Sequence, residues 1–148
     1  MESPKISWQI KKTSDISYSP KTDYFAGVYT QSSSLELDII LWNNRYGIDT
    51  VEDLESFSIS AIFQDLEDSS LLEYLTMKID GNYITPTISK NAAVFTVPNS
   101  VVISGSANDG SVKATDNYIY ITLKLDVPSV YKLKANDYKT LSLDVVNL

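Results

Sequence analysis

Carboxylates and aromatic rings are the side chains of this sequence that could do chemistry, because its 148 residues include neither histidine nor cysteine. Without histidine the chain lacks the commonest general base, and Ser–His–Asp and Cys–His catalysis are excluded within it. Glu36 and Asp38 share one face of a clear strand pattern, roughly 6–7 Å apart at the rise of a strand. Glycoside hydrolysis uses paired carboxylates at a defined separation, but a solvated sheet face explains this pair better. We therefore expect no enzymatic activity and no catalytic residue.

Motifs that would hold a cofactor or a metal ion are also missing. The sequence has no GxxxxGK[ST] or GxGxxG run, and its five glycines do not cluster, so no loop is suited to cradle phosphates. Two acidic stretches, QDLEDSS (64–70) and the Asn108-Asp109 pair, carry oxygen ligands without the glycine and terminal glutamate of a calcium loop. We expect neither a cofactor nor a metal, and we interpret these stretches as solvated loop ends.

Aromatic residues are the more informative group, with ten tyrosines, two tryptophans and four phenylalanines. Aromatic side chains on a sheet face either pack across strands, anchor a protein interface or stack on sugars. Our candidates for a protein interface are Trp8, Tyr18, Tyr24, Phe25, Trp42 and Tyr46. The alternative carbohydrate site consists of Arg45, Tyr118 and Tyr120. Ordinary cross-strand packing stays open for all of them.

The negative charge of the chain makes some classes of binding partner unfavourable. A formal net charge of −7 and a pI near 4.4 repel phosphate backbones and anionic lipids, so we expect neither nucleic-acid nor membrane binding. No apolar run approaches the roughly 18–20 residues of a spanning helix. The opening MESPKISWQIKK has no apolar h-region, so we expect no signal peptide.

Strand patterns must position any such site. In NYIYITLKLDV (117–127) apolar and polar residues alternate strictly, which predicts a strand with one buried face and anchors the rest of the assignment. The same alternation predicts strands in LELDIILW (35–42), FSISAIF (57–63) and TLSLDVVNL (140–148), with shorter ones near 74–80, 84–89, 92–97 and 101–104. In the first of these, Trp42 falls on the face opposite the core-facing row. NNRYG (43–47) predicts a turn whose Asn and Gly can take positive φ, and Asp80-Gly81 with Asn82 predicts a hairpin. Residues 48–56 suit a short helical turn. Seven to nine short strands with regular turns indicate an all-β antiparallel sandwich, immunoglobulin-like or jelly-roll-like.

Residues 1–34 differ from the remainder. Ile6, Trp8 and Ile10 alternate with polar residues, and the polar, turn-rich segment that follows suggests one or two further short strands. We predict an extended N-terminal arm over 1–34, docked on a neighbouring subunit, and a sandwich domain over 35–148. The competing interpretation is that residues 5–11 form the first strand of the sandwich and that a long loop follows it.

The C-terminal third carries a resemblance. The run from Tyr118 to Val127, then Pro128, then the strand from Leu141 to Val146, resembles the closing strands of immunoglobulin-like sandwiches. Such domains recur in tailed-bacteriophage virion proteins and in fimbrial subunits, and the acidic composition without a signal peptide is more similar to a phage tail or baseplate component. The resemblance implies a structural or adaptor subunit of a virion that packs against other subunits and copies of itself. The alternative is a carbohydrate-binding module for host-receptor recognition.

Overall fold

A computed structural model shows two antiparallel β-sheets packed face to face, so the predicted all-β sandwich is confirmed. The structure describes residues 1–10, 15–17, 21–29, 34–64, 66–109, 115–127 and 137–146. Side chains are described for residues 1–9, 36–64, 69–109, 116–127 and 141–146.

Eleven strands lie within the described residues, where the sequence predicted seven to nine. They are β1 Ile6–Ile10, β2 Asp15–Ser17, β3 Lys21–Tyr29, β4 Ser34–Asn43, β5 Ser58–Phe63, β6 Leu75–Ile79, β7 Asn82–Ile84, β8 Thr87–Ser89, β9 Ala92–Thr96, β10 Tyr118–Asp126 and β11 Asp137–Val146. The same described residues include two 3-10 helices, at Leu66–Tyr74 and Thr115–Asn117. None of the helices in the described part of the chain has the length and apolar character needed to cross a membrane.

The sheets follow the orders β2-β1-β4-β10-β6-β7 and β3-β11-β5-β9-β8. Strand β10 lies between β4 and β6, as expected of the stretch with the strictest alternation. Its register with β4 runs unbroken from the Tyr118–Trp42 pair to the Asp126–Ser34 pair. This long register fixes which outward-facing side chains become neighbours.

The core lies between the two sheets and is built from the inward-facing halves of the alternating strands. The first sheet contributes residues such as Leu41 and Ile121, and the second contributes Ile59, Phe95 and Leu143. Burying one such side chain contributes about 1.5–3 kcal/mol to stability relative to its exposed state. A one-residue slip of any strand would turn its apolar row to water, so the core also enforces the register.

Strand β1 corrects the prediction of an arm. It pairs with β4 from Ile6–Asn43 to Ile10–Ile39 and lies between β2 and β4. Its Trp8 is 0% exposed and belongs to the core. For β1 the competing interpretation, a first strand of the sandwich, is therefore correct. Without β1, the edge of β4 would present a row of main-chain donors and acceptors without partners. The expected boundary between residues 34 and 35 does not separate this strand from the sandwich.

The structure differs from the sequence-based assignment at three other places, all in turns and connections. The expected strand over 84–89 is divided at Pro86, so that β7 lies in one sheet and β8 in the other. Of the strand expected over 101–104, only an isolated bridge between Ile103 and Leu54 forms. The helical turn expected over 48–56 does not form either, because its backbone bonds instead to the 97–117 connection. The Asp80-Gly81 hairpin is confirmed, with φ of 49° and 81° as a type I′ turn requires.

Candidate functional site

Two long connections cross the same end of the sandwich and cover its core there. Residues 44–57 lead from β4 to β5, and residues 97–117 lead from β9 to β10; we call their described parts the cap. Main-chain hydrogen bonds join the two connections, with Leu54 and Ile103 exchanging bonds of 2.8 and 2.9 Å and Val51 N donating to Gly105 O at 2.8 Å. The cap is therefore a bonded unit rather than a pair of independent loops.

Three buried asparagines hold the cap together. Asn43 donates to the carbonyls of Glu52 and Ile103 at 2.9 and 3.1 Å and accepts the main-chain N–H of Lys5. Asn117 donates at 3.2, 3.0 and 2.9 Å to the carbonyls of Asn43, Ser104 and Ser106. Asn44 makes the same kind of contact to Asp49, Gly105 and Ser106, at 2.8, 2.9 and 3.1 Å. These amides satisfy buried carbonyls that irregular backbone would otherwise leave unpaired.

Two glycines permit this close packing. A Cβ at Gly47 would collide with the side-chain oxygen of Asn44, and one at Gly105 would collide with the carbonyl oxygen of Val51. Asn44 itself has a φ of 55°, a left-handed conformation that asparagine tolerates better than most residues. The turn chemistry predicted for NNRYG (43–47) is thus confirmed at Asn44.

An aromatic cluster lies beside the cap, on the outer face of the six-stranded sheet. Its members are Trp42, Arg45, Tyr46, Tyr118 and Tyr120, and we call it the aromatic corner. The β4–β10 register places Trp42 against Tyr118, with ring centroids 4.7 Å apart. Tyr118 meets Tyr120 edge to face at 5.2 Å. The Arg45 guanidinium lies 4.7 Å from the Trp42 ring centre and 5.0 Å from that of Tyr46, so it contacts both rings.

Desolvation governs the electrostatics of the aromatic corner. Partial burial lowers the pKa of Arg45, and the nearby Tyr46 opposes that shift by raising it. Burial raises the pKa of Tyr118, with further increases from its hydrogen bond and its charge interaction with Tyr120. Burial is the main cause of both shifts, so the aromatic corner is partly desolvated and suited to stacking and hydrogen bonding.

The predicted interface residues separate in the structure. Trp8 lies in the core, and Trp42, the buried member of the aromatic corner, is 0% exposed. Neither tryptophan can therefore contact a partner directly. The sequence placed Trp42 correctly on the outer face, but Tyr118, Arg45 and a hydrogen bond of 3.0 Å from its indole N–H to Gln9 engage it within the chain. Tyr46 is 53% exposed, and its place at an interface stays a prediction.

Three other interface candidates are not placed at side-chain level. Tyr18 lies outside the described residues, and Tyr24 and Phe25 belong to β3, whose side chains are outside the described part. The carbohydrate candidates Arg45, Tyr118 and Tyr120, by contrast, are brought together in the aromatic corner. The sequence suggested Tyr46 for a protein interface and the other three for a carbohydrate site, whereas the structure places all four in one cluster.

The carboxylate pair considered for catalysis lies on the same sheet face, farther along β4. Asp38 accepts a hydrogen bond of 2.8 Å from the hydroxyl of Thr122, and both groups are exposed to solvent. Across the described residues, no three or more acidic side chains gather closely enough to hold a metal ion. Asp65 lies outside the described residues, as do the side chains of Glu67 and Asp68.

Sequence reasoning missed two features of the site. The amide network of Asn43 and Asn117 was not predicted, because a strand pattern gives no signal for a buried polar side chain. Ile48, which is 91% exposed in the cap, was also missed. Its signal was available: Ile48 is a lone apolar residue that follows a turn without belonging to any alternating pattern.

Comparisons with known proteins add little to this geometry. No family model matches the chain, and its sequence matches no curated protein. A solved structure of a β-1,2-glucanase from Parabacteroides distasonis is similar to it at a TM-score of 0.34 and 14% sequence identity. The alignment covers 97% of this chain and 22% of that chain, so the chain spans about a fifth of the glucanase's length. Likeness at this TM-score carries no argument about fold or function.

Proposed function

We propose that the chain is a non-enzymatic interaction module, a structural or adaptor subunit that packs into a multi-subunit assembly through its aromatic corner. The observation that carries the proposal is the arrangement of Tyr46 and Tyr120. They are 53% and 45% exposed. Tyr46 contacts Arg45, Tyr120 contacts Tyr118, and both Arg45 and Tyr118 pack on the buried Trp42 ring. Tyrosine, tryptophan and arginine are the residues that most often dominate binding energy at protein interfaces.

Rigidity supports the same proposal. Trp42 and Tyr118 are fixed by the central strand pair, and Arg45 follows directly on Asn43 and Asn44, whose amides are bound to the cap. A surface that is already ordered loses less conformational entropy on binding, so more of the contact energy becomes affinity.

The setting that we propose is a bacteriophage virion, at the tail or baseplate. The resemblance of residues 118–127 and 141–146 to closing strands of virion sandwiches supports it, as does the acidic sequence without histidine or cysteine. The partners are other protein subunits of the particle, together with copies of this chain.

Light scattering across a concentration series, followed by cross-linking in the native source, tests the proposal. We expect the Tyr46→Ser/Tyr120→Ser double variant to lose its protein contacts while its circular dichroism stays unchanged. Tyr83→Ser is the matched control, because Tyr83 is 66% exposed on the edge strand β7 and is not a member of the aromatic corner. Equal losses in the double variant and the control, or unchanged assembly in both, would contradict a specific role for the aromatic corner.

Carbohydrate recognition is the second candidate, favoured by the contact series that joins Arg45, Trp42, Tyr118 and Tyr120. The rings are inclined at 45° and 73°, so they form no flat platform, and a sugar would stack on the exposed Tyr120 ring alone. A glycan array run with and without calcium tests this candidate. Hits that vanish in Tyr120→Ala would support it, and an array without hits would exclude it.

A further inference from the structure

The cap beside the aromatic corner exposes apolar surface. Ile48 is 91% exposed and Val102 is 45% exposed, and both lie within the cap that carries Tyr46. Soluble chains leave single apolar side chains exposed without consequence, but apolar residues gathered on one surface and rimmed by polar groups mark an interaction site. The antiparallel bridge at Leu54–Ile103 brings Val102 opposite Glu55, and Ile48 directly precedes Asp49, so each exposed apolar residue has an acidic neighbour.

The charge of the cap is strongly one-sided. Its described residues carry six exposed carboxylates against one guanidinium, that of Arg45. The carboxylates belong to Asp49, Glu52, Asp53, Glu55, Asp109 and Asp116. The nearby Lys5 already pairs with Glu2 at 3.4 Å. An acidic surface of this kind attracts a cationic partner and raises its association rate.

We propose that the cap docks a lysine- or arginine-rich segment of a partner protein, with an apolar side chain of that segment against Ile48 and Tyr46; this rests on the proposed function as an interaction module. A second copy of the chain would bring an identical acidic cap, and like charges across an interface are unfavourable. The net charge of −7 adds to that repulsion. The occupant of the cap is therefore a different chain with basic character, and the proposed contacts between copies of this chain would not place two caps face to face.

The cap is already ordered for this role. Asn43 holds the carbonyl of Glu52, and Asn44 holds those of Asp49 and Gly105, through hydrogen bonds of 2.8–2.9 Å. The main chain that carries these exposed carboxylates is consequently held in place. An ordered main chain loses less conformational entropy when a partner binds.

Selection from an unbiased random peptide library on the wild-type protein tests the inference. We expect the enriched peptides to contain an excess of lysine and arginine next to an apolar residue. Their affinity should fall about tenfold or more in Glu52→Lys/Glu55→Lys and by a similar factor in Ile48→Ser. The matched control is Glu36→Lys/Glu73→Lys, which makes the same change in net charge at exposed sites outside the cap.

Each other result has a definite meaning. Enriched peptides could instead lack basic residues and bind with an affinity that falls in Tyr46→Ser/Tyr120→Ser but not in Glu52→Lys/Glu55→Lys. That result would overturn the inference of a basic segment and would still support the interaction module. If Glu36→Lys/Glu73→Lys loses as much peptide affinity as Glu52→Lys/Glu55→Lys, the cap attracts cations without specificity and the inference is overturned. The same conclusion follows if spermine binds as tightly as the peptides and Ile48→Ser does not weaken peptide binding. An enrichment of no peptide at all, together with assembly that ignores Tyr46 and Tyr120, would overturn both proposals.

Discussion

Asn117 donates a side-chain hydrogen bond to the main-chain carbonyl of Asn43 at 3.2 Å, across 74 residues of sequence. The bond ties the residue that ends β4 to the residue that precedes β10, at the point where these paired strands enter the cap. The same amide reaches the carbonyls of Ser104 and Ser106. One side chain therefore links the central strand pair to the cap that lies over the core.

Replacing Asn117 by alanine should destabilise the protein by about 2–4 kcal/mol, because buried carbonyls lose their donor and the network loses its centre. Urea unfolding followed by circular dichroism measures the change. Asn99→Ala is the control, since Asn99 is exposed in a turn of the same connection, and it should stay within about 0.5 kcal/mol of wild type. Equal effects of the two substitutions would show that the amide network contributes nothing to stability.

Gly105→Ala should destabilise the protein more than Gly81→Ala. The new methyl group at position 105 collides with the Val51 carbonyl, which is main chain and cannot rotate away. At position 81 nothing lies within 4 Å, so alanine there bears mainly the cost of a left-handed conformation, about 1–2 kcal/mol. Thermal unfolding of the two variants checks the order, and a lower Tm for Gly81→Ala than for Gly105→Ala would contradict the cap packing.

Trp8→Ala should reduce the free energy of unfolding by about 3–5 kcal/mol, as expected for removal of a buried aromatic ring. Ile88→Ala, at a residue 44% exposed on β8, is the apolar control and should have a much smaller effect. Deletion of residues 1–10 should prevent folding, because it removes β1 and exposes the edge of β4. A deletion variant that still unfolds cooperatively, at a stability near that of wild type, would restore the interpretation of these residues as an arm.

Stability should fall at alkaline pH in part through Tyr118. Its pKa is raised in the folded state by burial and by Tyr120, so above about pH 10 the unfolded chain loses this proton before the folded chain does. Stability from this group is therefore fully present below the unfolded pKa and declines as the pH rises through the folded value. Tyr118→Phe removes that decline.

Urea unfolding of wild type and Tyr118→Phe at about pH 8 and about pH 11 makes the comparison. We expect the stability of wild type to fall relative to that of the variant at the higher pH, while any constant offset reports the lost contact with Tyr120. An offset of the same size at both pH values would show that Tyr118 does not titrate differently in the folded chain.

The alternation of apolar and polar residues was enough to predict most strands of the sandwich and part of the site. The alternation of Ile119 and Ile121 with Tyr118 and Tyr120 states which residues face the core, because side chains of a strand point to opposite faces in turn. It also placed Trp42 on the outer face. The same pattern could not say whether Trp42 remains exposed, since that depends on which side chains of β10 and of the following turn lie against it.

By itself, the sequence determined the all-β class, the hairpin at Asp80-Gly81 and the absence of histidine and cysteine chemistry, since these depend on residue type and short-range spacing. Tertiary structure alone decided that β1 is an inner strand, that both tryptophans are buried, and that Arg45, Tyr46, Tyr118 and Tyr120 share one surface. Asn43 and Asn117 acquire their role in the same way. Register, burial and amide contacts arise between segments far apart along the chain, and no local pattern of residues encodes which distant segment will supply the partner.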